Sequence, residues 1–186
     1  MVGGTGTAVL ASAPCRPAAA EQQPLVLYRA PPADGGFSLQ VPEKWVQLSL
    51  APAAREVVGV YASWRDPEEA SNTMGVYITD APPGCTRIQD TGSLKERAAQ
   101  LAGAAPGQRT QAARQRTGSG RVYYEVETLV GGGTAGRFGA AVEIIGETVA
   151  GGKRMQARAT ASLYSWRRPG TRDMLRACIA SFAVDA

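Results

Sequence analysis

The sequence predicts an α+β fold in which helices cover an antiparallel sheet. Three segments of the second half, Arg121–Val130, Arg137–Val149 and Lys153–Leu163, have the apolar patterning of strands and are separated by glycine turns. Connections this short favour an antiparallel meander, because parallel neighbours need crossovers of a dozen or more residues. The last segment, Pro169–Phe182, carries an apolar stripe at helical spacing and predicts a helix packed on the sheet.

Two strands are predicted near the start of the domain. The first is the apolar run Leu25–Tyr28, and the turn Ala33–Gly36 leads from it to the second, Phe37–Val41. In this second strand apolar residues alternate with Ser and Gln, which indicates one buried face. Pro42 removes a backbone donor and ends the strand, and Trp45 is expected to pack over its end.

A hairpin is predicted next. Val57–Trp64 is expected to be a strand with alternate residues from Val58 to Trp64 on one face, and Asn72–Thr79 is expected to be its partner. The short polar segment Arg65–Glu69 supplies the turn, so antiparallel pairing is the simplest arrangement.

A capping box predicts the first helix. Ser93 and Glu96 have the spacing at which each side chain can bond the other residue's backbone N–H. The helix is expected over Leu94–Ala102, and Gly103 closes it. The following segment, Gly107–Arg116, has only alanine as apolar content and predicts no element by itself.

The meander strands also predict which side chains face inward. In Lys153–Leu163 the apolar residues are expected inside and Arg154, Gln156, Arg158, Thr160 and Ser162 outside. In Arg121–Val130 one face carries Val122, Tyr124, Val126 and Val130, and the other carries Tyr123, Glu125 and Glu127.

Composition limits the function. Residues 25–186 are expected to form one domain, and residues 1–24, rich in Ala, Gly, Thr and Pro, a disordered leader or the remnant of a targeting presequence. The net charge of +4 is too diffuse to indicate nucleic acid, and no segment is long enough to span a membrane. The chain has no histidine, which excludes most catalytic triads and zinc sites.

Several short segments, taken in order, carry a family resemblance. They are Gly36–Trp45, Ser71-Asn72 before the strand Met74–Ile78, Gly92–Leu94, Tyr123–Glu127, Ala157–Ala161, and Trp166 with the helix that ends in Ser181–Val184. Together they cover about residues 25–186. The ordered set resembles the PsbP family of thylakoid-lumen proteins, and within it a divergent PsbP-like or PsbP-domain protein rather than the stoichiometric subunit.

The resemblance implies both a fold and a role. The fold is an α-β-α sandwich around an antiparallel sheet. The role is that of a non-enzymatic extrinsic subunit or assembly factor of a photosynthetic complex in the chloroplast thylakoid lumen, typically photosystem II and its oxygen-evolving centre. Calcium retention belongs to the same expectation, although no histidine-based metal site of the family can be carried over to this chain. A related fold serves small-GTPase-binding nuclear import factors, so an adaptor of that type is an alternative.

Glu125 and Glu127 are the candidates for chemistry. They share a strand face at spacing i, i+2, so they could act as paired carboxylates in a catalytic or small-ligand site, or bind a cation. The other interpretation is a solvated strand face with cross-strand partners such as Arg154 or Arg158.

Cysteine and arginine each leave two interpretations open. Cys85 and Cys178 could form a disulfide, or Cys178 could serve as a small apolar residue of the helix stripe. Two basic clusters could dock an acidic protein surface or simply maintain solubility. One is formed by Arg109, Arg114, Arg116 and Arg121, and the other by Arg167, Arg168 and Arg172.

Overall fold

The computed structural model describes residues 23–32, 35–103, 107–131 and 139–185. Of the predicted leader, only the last two positions are described. Parts of the predicted turns at 33–36 and 131–133 also lie outside the described residues, as does the start of the segment predicted from residue 137. The strands are β1 (Leu25–Arg29), β2 (Phe37–Pro42), β3 (Val46–Gln47), β4 (Val60–Arg65), β5 (Thr73–Asp80), β6 (Arg109–Gly118), β7 (Arg121–Val130), β8 (Ala141–Ala150), β9 (Lys153–Ser162) and β10 (Ala183–Val184). The helices are α1 (Pro52–Val58), α2 (Leu94–Ala102), α3 (Leu163–Trp166) and α4 (Pro169–Ser181), with a 3₁₀ helix at Ile88–Thr91.

Seven strands form the main sheet, in the order β3-β4-β5-β9-β8-β7-β6, and all neighbours are antiparallel. The predicted meander is confirmed, because β7, β8 and β9 are consecutive neighbours, and β6 extends it by one strand. The predicted hairpin of β4 and β5 is also confirmed. A second, three-stranded sheet places β2 between β1 and β10.

The central strands are covered on both faces. Ile144 belongs to the main core with Leu175 and Ile179 of α4, whereas the next residue, Ile145, packs with Ala98 and Leu101 of α2. Consecutive residues of a strand point to opposite faces, so α4 and α2 lie on opposite sides of the sheet. The predicted α+β fold with helices flanking an antiparallel sheet is confirmed.

The small sheet and α4 close the main core together. The ring centroids of Phe37 in β2 and Phe182 lie 6.3 Å apart. The Phe182 ring also makes an edge contact with the Tyr123 ring, with 6.1 Å between centroids. Ser181 accepts a hydrogen bond of 2.7 Å from the backbone N–H of Gln40. Trp45 is buried beside the end of β2, as the sequence predicts.

The predicted capping box is present at the start of α2. Ser93 N–H donates to the Glu96 carboxylate at 2.8 Å, and Glu96 N–H donates to Ser93 Oγ at 3.3 Å. These bonds satisfy donors that a helix start would otherwise leave without partners.

The prediction for Val57–Trp64 is wrong in its first part. Val57 and Val58 end helix α1, which has no buried residue, and Val57 is 83% exposed. Gly59 then adopts a left-handed conformation, with φ of 71°, and the strand begins only at Val60. β-Branched residues suggested a strand here, but Pro52 at the start of the helix and the glycine cap decide the local structure.

Three further predictions also need correction. Gln156 is buried rather than outward, and it donates a hydrogen bond to the buried Glu147. Leu163 starts α3 instead of ending β9. The segment that predicted no element is β6, an almost wholly exposed edge strand.

We expect Gly59→Ala to destabilise the fold more than Gly84→Ala. Both glycines have positive φ, so each substitution should cost roughly 1–2 kcal/mol in backbone strain. A Cβ at position 59 would lie 2.5 Å from the Ile78 carbonyl oxygen, whereas one at position 84 meets nothing within 4 Å. Urea denaturation followed by circular dichroism should therefore show an additional loss of about 1–3 kcal/mol for Gly59→Ala. Equal losses for the two variants would contradict this account of the turn.

Candidate functional site

Glu125 and Glu127 are not a solvated pair. Glu125 is 4% exposed and accepts bonds from Nε of Arg114 at 2.5 Å and Nε of Arg116 at 2.6 Å. Glu127 accepts two bonds from Arg176 of α4, at 2.7 and 3.0 Å. The predicted partners on β9 are wrong, because β8 lies between β7 and β9. Three arginines thus outweigh two carboxylates, an arrangement poorly suited to holding a cation.

Arg116 contacts both the sheet and the C-terminal segment. Besides its bond to Glu125, it donates to the carbonyl oxygen of Phe182, and its guanidinium lies 3.9 Å from the Tyr123 ring centroid. The Tyr123 hydroxyl in turn accepts from the backbone N–H of Val184 at 3.0 Å. Arg116 therefore joins β6 to the C-terminal segment, and its contact with a partner stays a prediction.

The other predicted arginines separate into two groups. Arg109, Arg167 and Arg172 converge on one cavity of about 390 Å³ between the β6–β8 region of the sheet and the α3–α4 connection. Arg114 lines a neighbouring cavity of about 230 Å³. Arg168 points elsewhere, with its guanidinium 4.7 Å from the Tyr164 ring centroid, and lines a different cavity beside Asp66.

A β-bulge allows Arg109 to join this site. The register of β6 against β7 shifts between Thr110 and Ala112, which leaves Gln111 as the extra residue. Arg109 pairs with Leu129, and Ala112 pairs with Glu127, both on the α4 side of the sheet. Without the extra residue, Arg109 and Ala112 would point to opposite faces, because side chains alternate along a strand.

Arg176 completes the site and was not predicted as a functional residue. It lines both cavities, and the hydrogen bond that its guanidinium donates to Glu127 raises the pKa of the guanidinium. Its guanidinium also lies 5.5 Å from the Trp166 ring centroid. The spacing of four residues from Arg172, one helical turn, is the signal that could have placed both on one face of the helix.

We call this surface the arginine groove: Arg109, Arg167, Arg172, Arg176 and Glu127, over an apolar floor of Leu129, Val142 and Trp166. Its lining side chains carry four positive charges and one negative charge. Among the described residues, no ion pair engages Arg109 or Arg167, and Arg172 contacts only the adjacent Asp173, at 3.4 Å. Arginine forks bind carboxylates or phosphates bidentately, so the groove suits an anionic partner.

The opposite face of the sheet holds a buried ion pair that the sequence did not suggest. Glu147 is 0% exposed and accepts from Arg97 of α2 at 2.6 and 3.0 Å and from Gln156 at 2.7 Å. Burial raises the pKa of nearby Glu143, which lies 3.6 Å from Arg158. Because α2 covers the Arg97–Glu147 pair, this pair attaches the helix to the sheet and is not open to a ligand.

Both described cysteines are free thiols. Cys178 is buried in the main core, and burial raises the pKa of its thiol to about 12. The apolar interpretation of Cys178 therefore fits the structure, and the disulfide with Cys85 is absent from it.

Among the described residues, no three His, Cys, Asp or Glu side chains are grouped so that they could hold a metal ion. None of the described helices is long and apolar enough to cross a membrane.

A family model described as PsbP matches residues 31–184. The chain belongs to the PsbP family. This confirms the resemblance that the ordered segments indicate. No curated protein matched the sequence.

Solved structures show how widely this fold is shared. The chain is similar to cyanobacterial PsbP (CyanoP) from Synechocystis sp. PCC 6803, with 20% identity, a TM-score of 0.65 and coverage of 92% of this chain and 99% of that one. It is also similar to LpqN, involved in cell envelope biogenesis of Mycobacterium tuberculosis, with 13% identity, a TM-score of 0.56 and coverage of 87% and 92%. A protein of Bacteroides thetaiotaomicron aligns at 9% identity and a TM-score of 0.51, over 86% of this chain and 48% of its own. At these identities the likeness shows the fold.

We expect the Arg97–Glu147 pair to be strongly coupled. Arg97→Met leaves a buried carboxylate without its main partner and should reduce the free energy of unfolding by about 3–5 kcal/mol. The double variant Arg97→Met/Glu147→Met removes both charges and should be more stable than Arg97→Met alone. Urea denaturation of both variants measures the difference, with Arg172→Met as an exposed control that should change little. Additive losses would contradict the coupling.

The two described thiols should react very differently. Because Cys178 is buried and its thiol has a pKa of about 12, we expect iodoacetamide at pH 8 to leave it unmodified in the folded protein. Cys85 is partly exposed and should be alkylated. Peptide mass spectrometry before and after denaturation checks this, since unfolding should make both thiols reactive. Rapid alkylation of Cys178 in the native protein would be the contrary result.

Proposed function

We propose that this PsbP-family protein is a non-enzymatic, extrinsic protein of the thylakoid lumen that binds and stabilises a photosynthetic membrane complex or assists its assembly. The complex proposed is photosystem II with its oxygen-evolving centre. Family membership and the similarity to cyanobacterial PsbP over most of both chains support the proposal. The protein would attach peripherally, through its surface.

The arginine groove carries the proposal. It concentrates cations from the sheet edge and from α3–α4 at one place, and three of them have no strong partner within the described chain. Such a surface speeds encounter with an acidic partner and fixes the orientation of the complex. We therefore assign the docking contact to the groove, with Arg114 at its margin.

Calcium enters this proposal only as an indirect effect of docking. Calcium takes six to eight oxygen ligands. Glu127 in the groove and Glu125 beside it already accept bonds from three arginines. A docked protein can slow ion loss from its partner by covering a path to solvent, without binding the ion itself.

The triple variant Arg109→Gln/Arg167→Gln/Arg172→Gln should bind thylakoid membranes that are rich in photosystem II more weakly than the unmodified protein. Exposed charge pairs contribute roughly 0.2–1 kcal/mol each, so we expect about a three- to one-hundredfold loss of affinity at low salt and a smaller loss at high salt. Co-sedimentation with salt-washed thylakoids measures it.

The matched control is Lys44→Gln/Arg29→Gln/Arg65→Gln, which removes the same charge from exposed positions outside the groove. It should retain most of the affinity. Equal loss in both triple variants would show that net charge, rather than the groove, governs binding. Fractionation that places the native protein in cytosol or nucleus would overturn the proposed location.

A further inference from the structure

Strand β6 leaves one edge of the main sheet open. It is ten residues long and exposed along most of its length, and it pairs with β7 on one side only. Within the described part of the chain, no strand pairs with its other side. About half of its backbone N–H and C=O groups therefore point away from the sheet, where an additional strand could bond to them.

The side chains of β6 oppose pairing with a second copy of the same strand. The charged residues of β6 are all arginines, Arg109, Arg114 and Arg116. Two copies side by side would bring arginines together, and like charges on neighbouring strands are destabilising. A strand that carries carboxylates would instead be attracted to these arginines.

The arginine groove lies directly beside this edge. Arg109 and Gln111 line the groove, and Ala112 and Ala113 line the adjoining cavity of about 230 Å³. The two alanines leave space for side chains of an added strand. Arg167 and Arg172 line the groove from the helical side and have no strong acidic partner among the described residues.

We propose that the open edge of β6 binds an extended acidic segment of a partner protein, which joins the main sheet as an additional antiparallel or parallel strand. Backbone bonds to β6 hold the segment, and its alternate carboxylates reach the arginine groove. This inference rests on the proposed docking function and specifies the chemistry and conformation of what docks. Strand addition explains why basic residues and an open sheet edge coincide.

The probe is a capped peptide of about ten residues in which glutamate alternates with valine, long enough to follow β6. Fluorescence anisotropy should detect its binding, and hydrogen exchange should show added protection of β6 amides. Arg109→Gln and Arg167→Gln should each weaken binding about two- to fivefold. Arg29→Gln, outside the groove, should leave binding unchanged.

The decisive control is the same peptide with N-methyl groups on alternate amides, on the edge that would face β6. It keeps the charge and removes the backbone donors, so we expect more than a tenfold loss of affinity. Equal binding of both peptides without protection of β6 would overturn strand addition. Failure of the acidic peptide to bind at all would also overturn it.

These outcomes are separable from failure of the docking function. If the triple arginine variant loses thylakoid binding while both peptides bind equally, docking stands and strand addition is wrong. If the triple variant keeps full thylakoid binding, the docking function itself fails, whatever the peptides do.

Discussion

Burial of the central strands on both faces is the constraint on which the rest of this structure depends. α4 and the small sheet cover one side, and α2 covers part of the other, so Glu125 and Glu147 are buried and Glu127 is only slightly exposed. A buried carboxylate is costly unless it is paired and hydrogen-bonded. Glu125, Glu127 and Glu147 accordingly each accept bonds from arginine.

This constraint divides the arginines by role. Arg97 and Arg116 neutralise buried acids, Arg176 neutralises the partly buried Glu127, and together they tie helices or the C-terminal segment to the sheet. Their planar forks allow two bonds to one carboxylate, which a lysine ammonium cannot reproduce with the same geometry. Arg109 and Arg167, by contrast, form no ion pair among the described residues, and both line the groove.

Local patterns predicted much of the fold and little of the site. The alternation in β2 and β9, the capping box at Ser93 and the apolar stripe of α4 are signals within a few residues, and the structure confirms them. Helix α1 was missed because its valines are exposed, and β6 because its pattern is broken by a bulge and contains only alanine as apolar residue. The partners of Glu125 and Glu127 depend on strand order and helix placement, which no local pattern encodes.

The geometry of the groove bears on the two interpretations of the basic clusters. Charges that serve solubility are best dispersed, because their mutual repulsion then stays small. Here Arg109 and Arg167 are far apart in sequence but line one cavity, and a β-bulge turns Arg109 toward it. Repulsion between like charges so placed opposes the compact state, and an acidic partner would relieve it. We therefore propose docking rather than solubility as the role of this cluster. The same bulge that orients Arg109 also interrupts the edge where we expect the partner to bind.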